Sequence, residues 1–209
     1  MTSDRVGVVD LPQLVALRLL EADCPEGVYG VPEDWPRWRV LLPHVLAVTG
    51  RVADGAEAEA EAGIVSWLLD RAGTFLQTQG QPGAAYPLMQ RALAIDESVH
   101  GPDHSDVAIQ LSNLAAVLRD LGDAAGARPL AERALAIDEA VHGPDHPNVA
   151  IRLNTLAQVF LDLGDAAAAR PLAERALAIG EAVYGPDHPV LGVYRANLAV
   201  IITVEADPQ

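Results

Sequence analysis

Between Val107 and Leu121 the apolar residues Val107, Leu111, Leu114, Val117, Leu118 and Leu121 return every three to four positions, with polar residues between them. That period predicts a helix with one buried face. A second such stripe follows at once in Leu130, Ala134, Leu135, Ile137 and Val141. Gly122-Asp123 separates the two, and glycine there accepts the left-handed backbone that ends a helix. Gly143-Pro144 stops the second helix, because proline cannot continue one, and Pro147 suits the first turn of the next. The unit predicted is a helical hairpin.

The pattern repeats. Gly101-Pro102-Asp103-His104 returns as Gly143-Pro144-Asp145-His146 and as Gly185-Pro186-Asp187-His188, 42 residues apart each time. Gly80, Gly122 and Gly164 keep the same period, as do the Arg-Ala-Leu-Ala-Ile runs beginning at Arg91, Arg133 and Arg175. Residues 107–148 and 149–190 are identical at 32 of 42 positions. One hairpin cannot bury its own apolar face, so neighbours must stack. The predicted helix pairs are 66–79/83–99, 107–121/124–142 and 149–163/166–184, followed by one more helix over Val190–Val204. Ala115, Ala127 and Ala134, with Ala157, Ala169 and Ala176, are expected where helices cross closely.

The motifs Leu153-Asn154-Thr155-Leu156-Ala157, Leu163-Gly164-Asp165, Ala169-Arg170-Pro171-Leu172, Arg175 to Ile179 and Gly185-Pro186-Asp187-His188-Pro189 resemble the 42-residue, kinesin-light-chain-like class of tetratricopeptide repeat over about 65–204. The resemblance implies an all-α fold, a right-handed superhelical solenoid of such hairpins. The domains expected are 1–64, a helical N-terminal cap or degenerate repeat; 65–190, three repeats; and 191–209, a capping helix and tail. In the first of these, Leu11–Ala22 and Trp35–Val48 read as helices, with a Gly- and Pro-rich loop over Pro25–Asp34. The stretch Trp35-Pro36-Arg37-Trp38 to Leu42-Pro43-His44 resembles the segment that joins nucleotide-binding module to repeats in bacterial NB-ARC/STAND-type signalling ATPases, although this chain has no P-loop.

Charge narrows the partners. The net charge is −15, all 14 basic residues are arginine, and only 4% of residues are aromatic. Nucleic acid and anionic membranes both require a basic surface, so neither is expected as a partner. Without lysine there is no phosphate-binding lysine or Schiff base. Cys24 is the only cysteine, which excludes an intrachain disulfide and a thiolate zinc cluster. No apolar run reaches the length of a membrane span, and the N-terminus shows no signal-like core, so a cytoplasmic protein is expected.

Candidate chemistry reduces to structural roles. His100 and His104, or His142 and His146, flank Gly-Pro-Asp, but Tyr184 replaces the first histidine in the last copy. A recurrent fold requirement explains the motif better than a metal. Asp103, Asp145 and Asp187 are expected to accept backbone N–H bonds at the next helix start. Asp96-Glu97 and Asp138-Glu139 read as a solvated face, and Glu57 to Ala62 as an acidic helix entry. Ser66, Ser98, Ser105 and Ser112 have no evident base. No catalytic residue, cofactor or metal is expected.

Between the two best-matched repeats, six of ten differences fall in the first helix. The resemblance implies that first helices line the concave groove. Its groove positions map to Ile109, Ser112, Ala116, Arg119 and Asp120, then to Ile151, Asn154, Gln158, Leu161 and Asp162, and in the preceding unit to Trp67, Asp70, Thr74, Gln77 and Thr78. Asn113 and Asn154 match the asparagines that hold a ligand backbone in the family. The expected function is a protein-protein interaction module, a scaffold or sensor binding a protein or peptide segment in that groove. The alternative is a regulatory subunit of an NB-ARC/STAND-type NTPase system, acting with a separate nucleotide-binding chain. The apolar C-terminal helix, with Leu198, Ile201 and Ile202, suggests a homodimer through 190–204.

Overall fold

The computed structural model describes residues 11–25, 28, 31–52 and 59–206. Among these residues the regular elements are all helical: α1 (Leu11–Asp23), α2 (Trp35–Thr49), α3 (Glu59–Thr78), α4 (Pro82–His100), α5 (Ser105–Asp120), α6 (Ala124–His142), α7 (Pro147–Asp162), α8 (Ala166–Tyr184) and α9 (Val190–Ala206). A 3-10 turn over Pro32–Asp34 leads into α2. None of these helices is long and apolar enough to cross a membrane. The chain forms two compact units, Met1–Pro102 and Asp103–Gln209.

In the first unit α3 and α4 pair as a hairpin, and α1 and α2 pack on α3. Leu17, Trp38, Val45, Val65, Leu68 and Leu69 are fully or almost fully buried in one cluster. The acidic entry lies inside α3 from Glu59 onward, seven residues before the predicted start of that helix, while residues 57–58 fall outside the described residues. Arg91 on α4 ties this hairpin to the end of α2: its two terminal nitrogens donate to the carbonyls of Thr49 at 2.7 Å and Val52 at 2.6 Å.

In the second unit α5–α6 and α7–α8 are hairpins, and α9 packs on α8 and α7. The Gly-Asp turns work as two-part devices. Gly122 (φ +80°) and Gly164 (φ +79°) take the left-handed backbone, which lets Asp123 N–H reach the Leu118 carbonyl and Asp165 N–H reach that of Phe160. The Asp123 carboxylate then accepts from Gly126 N–H at 2.8 Å, and Asp165 from Ala168 N–H at 3.0 Å, which caps the second helix. Ala115, Ala127, Ala134, Ala157, Ala169 and Ala176 are fully buried, as close helix crossing demands.

Two sequence expectations are corrected. The histidine of Gly-Pro-Asp-His caps the following helix, and the aspartate does not. Nδ1 of His104, His146 and His188 accepts the N–H of Asp106, Asn148 and Val190 at 3.2, 3.2 and 3.3 Å, while Asp103, Asp145 and Asp187 lie exposed on the turn. The histidine is the residue immediately before the helix, the N-cap position from which a side-chain acceptor meets the first free N–H groups, and the aspartate stands one residue too early. The first carboxylate of each expected solvated pair is also buried, Asp96 at 5% exposure and Asp138 at 0%. Each sits on the inner side of its helix, and Asp138 is compensated by buried Arg152, whose Nε donates to it at 2.8 Å.

Successive repeats are also stapled. Arg175 on α8 donates to Glu139 Oε1 at 2.6 Å and to the Pro144 carbonyl at 2.8 Å. One repeat later the equivalent acceptors, Glu181 and the Pro186 carbonyl, are held at 2.7 and 2.9 Å by Arg195. Arg195 comes from α9, a first-type helix, where Leu111 and Leu153 stand in α5 and α7.

Candidate protein-interaction face

Helix spacing brings residues four, seven and eleven positions apart onto one face. In the second unit this gives Ile109, Asn113, Ala116 and Asp120 on α5; Ile151, Thr155, Gln158 and Asp162 on α7; and Val193, Asn197, Val200 and Val204 on α9. All of them are exposed or half-buried. The three helices are neighbours in the order α5, α7, α9, so the face is continuous across them. Ile109, Ile151 and Val193 are 39%, 43% and 55% exposed, one apolar residue from each helix at the same repeat position.

Polar side chains brace the helices against one another. Ser112 donates to Thr155 Oγ1 at 3.4 Å, and Asn197 Nδ2 donates to Asn154 Oδ1 at 2.9 Å, the same pair of repeat positions used twice. Arg119 donates to Asp162 Oδ2 at 2.6 Å and to the side-chain oxygen of Gln158. The arginine that the sequence offers as a positive groove residue is thus engaged by a carboxylate within the unit.

Several expected lining residues are drawn into contacts between helices. Ser112 is 5% exposed, because its position turns it toward α7 as a brace. Asn154 is half-buried and engaged by Asn197. Leu161 packs at the edge of the apolar cluster of Ala157, Ala166, Ala169, Ala173 and Ile201, since its side faces α8. Ile201 is fully buried in that cluster, with Leu198 at its edge. Ile201 is therefore core, and among the three residues expected at a dimer surface only Ile202 is exposed, at 43%. Val193, Val200 and Val204 were missed; extending the 42-residue period by one helix from Ile109 and Ile151 places Val193 on the face.

In the first unit the matching positions lie on α3. Trp67 is half-buried, with the Arg71 guanidinium 5.7 Å from its ring centre. Gln77 is half-buried. Asp70 and Thr74 are buried at 7% and 9% exposure, and so do not line an open surface.

The comparisons agree with this architecture. A tetratricopeptide repeat model matches residues 64–139, 106–182 and 153–201. No curated protein matches. Among solved structures, the chain resembles BtubC (BKLC) of P. vanneervenii with a TM-score of 0.63 at 18% identity, covering 95% of this chain and 86% of that one. It also resembles two structures of a Podosopora anserina protein, described by its kinesin-light-chain character and nearly identical TPR-like repeats. Their TM-scores are 0.67 and 0.65 at 18% identity, over 94% of this chain and 86% of theirs. Those likenesses concern the fold. Repeats of this kind serve as scaffolds for protein-protein contact. With the repeat model spanning most of α3 to α9, the chain belongs to the tetratricopeptide repeat family, in the all-α solenoid form shared with kinesin-light-chain-like proteins.

Proposed function

We propose that the protein binds a protein or peptide segment on the face formed by α5, α7 and α9, and that it performs no chemistry on it. The observation that carries this is the row of Ile109, Ile151 and Val193, three apolar side chains left substantially open to water at one repeat position. Leu121 and Leu163, and Val141 and Val183, are also open to water at matching repeat positions, so what sets this row apart is that it runs unbroken across three neighbouring helices. The polar braces beside the row hold it in a fixed register, which lowers the ordering cost of binding. The α1–α2 segment acts in this reading as a degenerate repeat that closes one end, consistent with Arg91 holding α2 as Arg175 holds α6. A homodimer through α9 would have to use Ile202 rather than Ile201.

The test is amide hydrogen exchange of the intact chain, alone and with a peptide selected from a display library. Protection concentrated on α5, α7 and α9 is expected. Protection confined to the outer helices α6 and α8 would overturn the reading.

A further inference from the structure

One side of α9 lacks the cover that its counterparts keep. Ala150, Leu153 and Ala157 of α7 are fully buried, in clusters that also hold Ala169, Ala173 and Ala176 of α8. Ala108, Leu111 and Ala115 of α5 are fully buried as well. One repeat on, these positions are Gly192, Arg195 and Ala199, and all three are exposed. Ala196, Ile202, Thr203 and Ala206 extend the same side at helical spacing, and they are exposed too. This side is separate from the face proposed for binding, which on α9 uses Val193, Asn197, Val200 and Val204. It is separate also from the buried side of Leu191, Tyr194 and Ile201.

The exposed stripe is neutral. Arg195 and Glu205 are the only charged residues of α9, and both are drawn back toward α8. Arg195 donates to Glu181 and to the Pro186 carbonyl, and Glu205 accepts from Arg170 at 3.2 Å. Arg195 also restricts what can lie here. A helix seated as α8 sits on α7 would bury position 195, where α7 has leucine, and would take the guanidinium out of water and off its acceptors. Those acceptors match the ones that Arg175 uses one repeat earlier, so the staple that another second-type helix would supply is already made. The occupant of the stripe is a helix that leaves Arg195 at its edge.

We infer that this occupant is the same side of α9 in a second copy of the chain, the two helices running antiparallel about a two-fold axis. What selects a second copy is the order of small and large residues along the stripe. Ala199 and Ala206 are seven residues apart and lie on one line; Arg195 and Ile202 form a second line beside it. Turning one copy end for end about a point between Val200 and Ile201 sets Ala199 against Ile202 of the second copy, and Ile202 against its Ala199. The same turn sets Ala206 against the aliphatic stem of Arg195. Each layer then pairs one small with one long side chain, which is the condition for close interdigitation. Both arginines fall at the outer ends of the contact, where their charged heads stay in water. An isologous contact demands this agreement of a surface with its own reverse. The contact runs from residue 195 to residue 206, a rise of about 16 Å. Its neutrality lets two chains of net charge −15 meet without opposed charges at the seam. The inference goes beyond the binding face and does not rest on it.

The test is sedimentation equilibrium of the intact chain across the micromolar range, where a monomer–dimer equilibrium is expected. Ala199→Lys and Ile202→Glu should each raise the dissociation constant by about tenfold or more, as residues central to an interface do. Both positions are exposed in the single chain, and circular dichroism checks that helix content is unchanged. Mixing the two variants should restore the dimer, because the mixed pair opposes the new lysine to the new glutamate across one layer. Val193→Asp, on the binding face, should leave the dimer intact. A chain that stays monomeric at every concentration would overturn the inference. So would a dimer that ignores both stripe variants or is lost on Val193→Asp alone. Two monomeric variants that fail to pair when mixed would overturn the antiparallel arrangement. Neither stripe variant touches the binding face, so the two readings fail independently.

Discussion

Asp138 on α6 and Arg152 on α7 form an ion pair sealed from water, with the carboxylate 0% and the guanidinium side chain 6% exposed. One repeat later the same two positions hold Gly180 and Tyr194. A Cβ at Gly180 would lie 2.7 Å from Leu191 Cδ2 and 3.2 Å from Tyr194 Cε2, so the ring occupies the space the carboxylate would need. The same joint between a second helix and the next first helix is filled once by charge and once by an aromatic ring.

Arg152→Met should therefore be strongly destabilising, by about 3–5 kcal/mol, because it leaves Asp138 buried without its cation. The double variant Asp138→Gly with Arg152→Tyr, which copies the later joint, should recover most of that loss. Urea denaturation of the three proteins measures the coupling. A double variant no more stable than Arg152→Met would mean that the two joints are not interchangeable.

Removing the cap in His146→Ala should cost about 1 kcal/mol, the usual value of an N-cap acceptor. Asp145→Ala, beside it but exposed on the turn, should change stability by less than about 0.5 kcal/mol. Melting temperatures of the two variants rank the roles directly. The reverse order would return the capping role to the aspartate.

Ala176 is fully buried in the cluster where α8 meets α7 and α9, together with Val149, Leu153, Ile179 and Leu191. Ala176→Leu should destabilise by about 1–3 kcal/mol through overpacking. An unchanged denaturation midpoint would show that the crossing has room to spare.

Burial, reinforced by the negative charge of Asp23, pushes the Cys24 thiol up from 9.0 to about 11. The folded state thus favours the neutral thiol. Its contribution to stability is intact below about pH 9 and is lost as pH rises from about 9 to 11, where the unfolded chain ionises first. Cys24→Ser should flatten that part of the stability profile. Alkylation of the folded chain near pH 8 should be far slower than alkylation in urea, and equal rates would refute the burial of the thiol.

The 42-residue period determined the hairpins, their turns at Gly122 and Gly164, and the buried alanines at the crossings. These are local matters: helix period, helix-ending glycine and side-chain volume act within one hairpin or between adjacent copies, and each copy restates them. The first helix of each pair also carries the face proposed for binding, and Ile109 and Ile151, expected there from the sequence, are exposed. Tertiary structure decided the rest. Asp138 looked like half of a solvated pair until its helix turned it toward Arg152, 14 residues away. Ser112, Asn154 and Arg119 looked available until helices one repeat apart offered Thr155, Asn197 and Asp162 as partners. Ile201 looked exposed until α8 closed over it. In each case the deciding partner lies in another helix, and its distance depends on how helices rotate against each other in packing. A period read along one chain fixes which residues share a face; only packing fixes what that face meets.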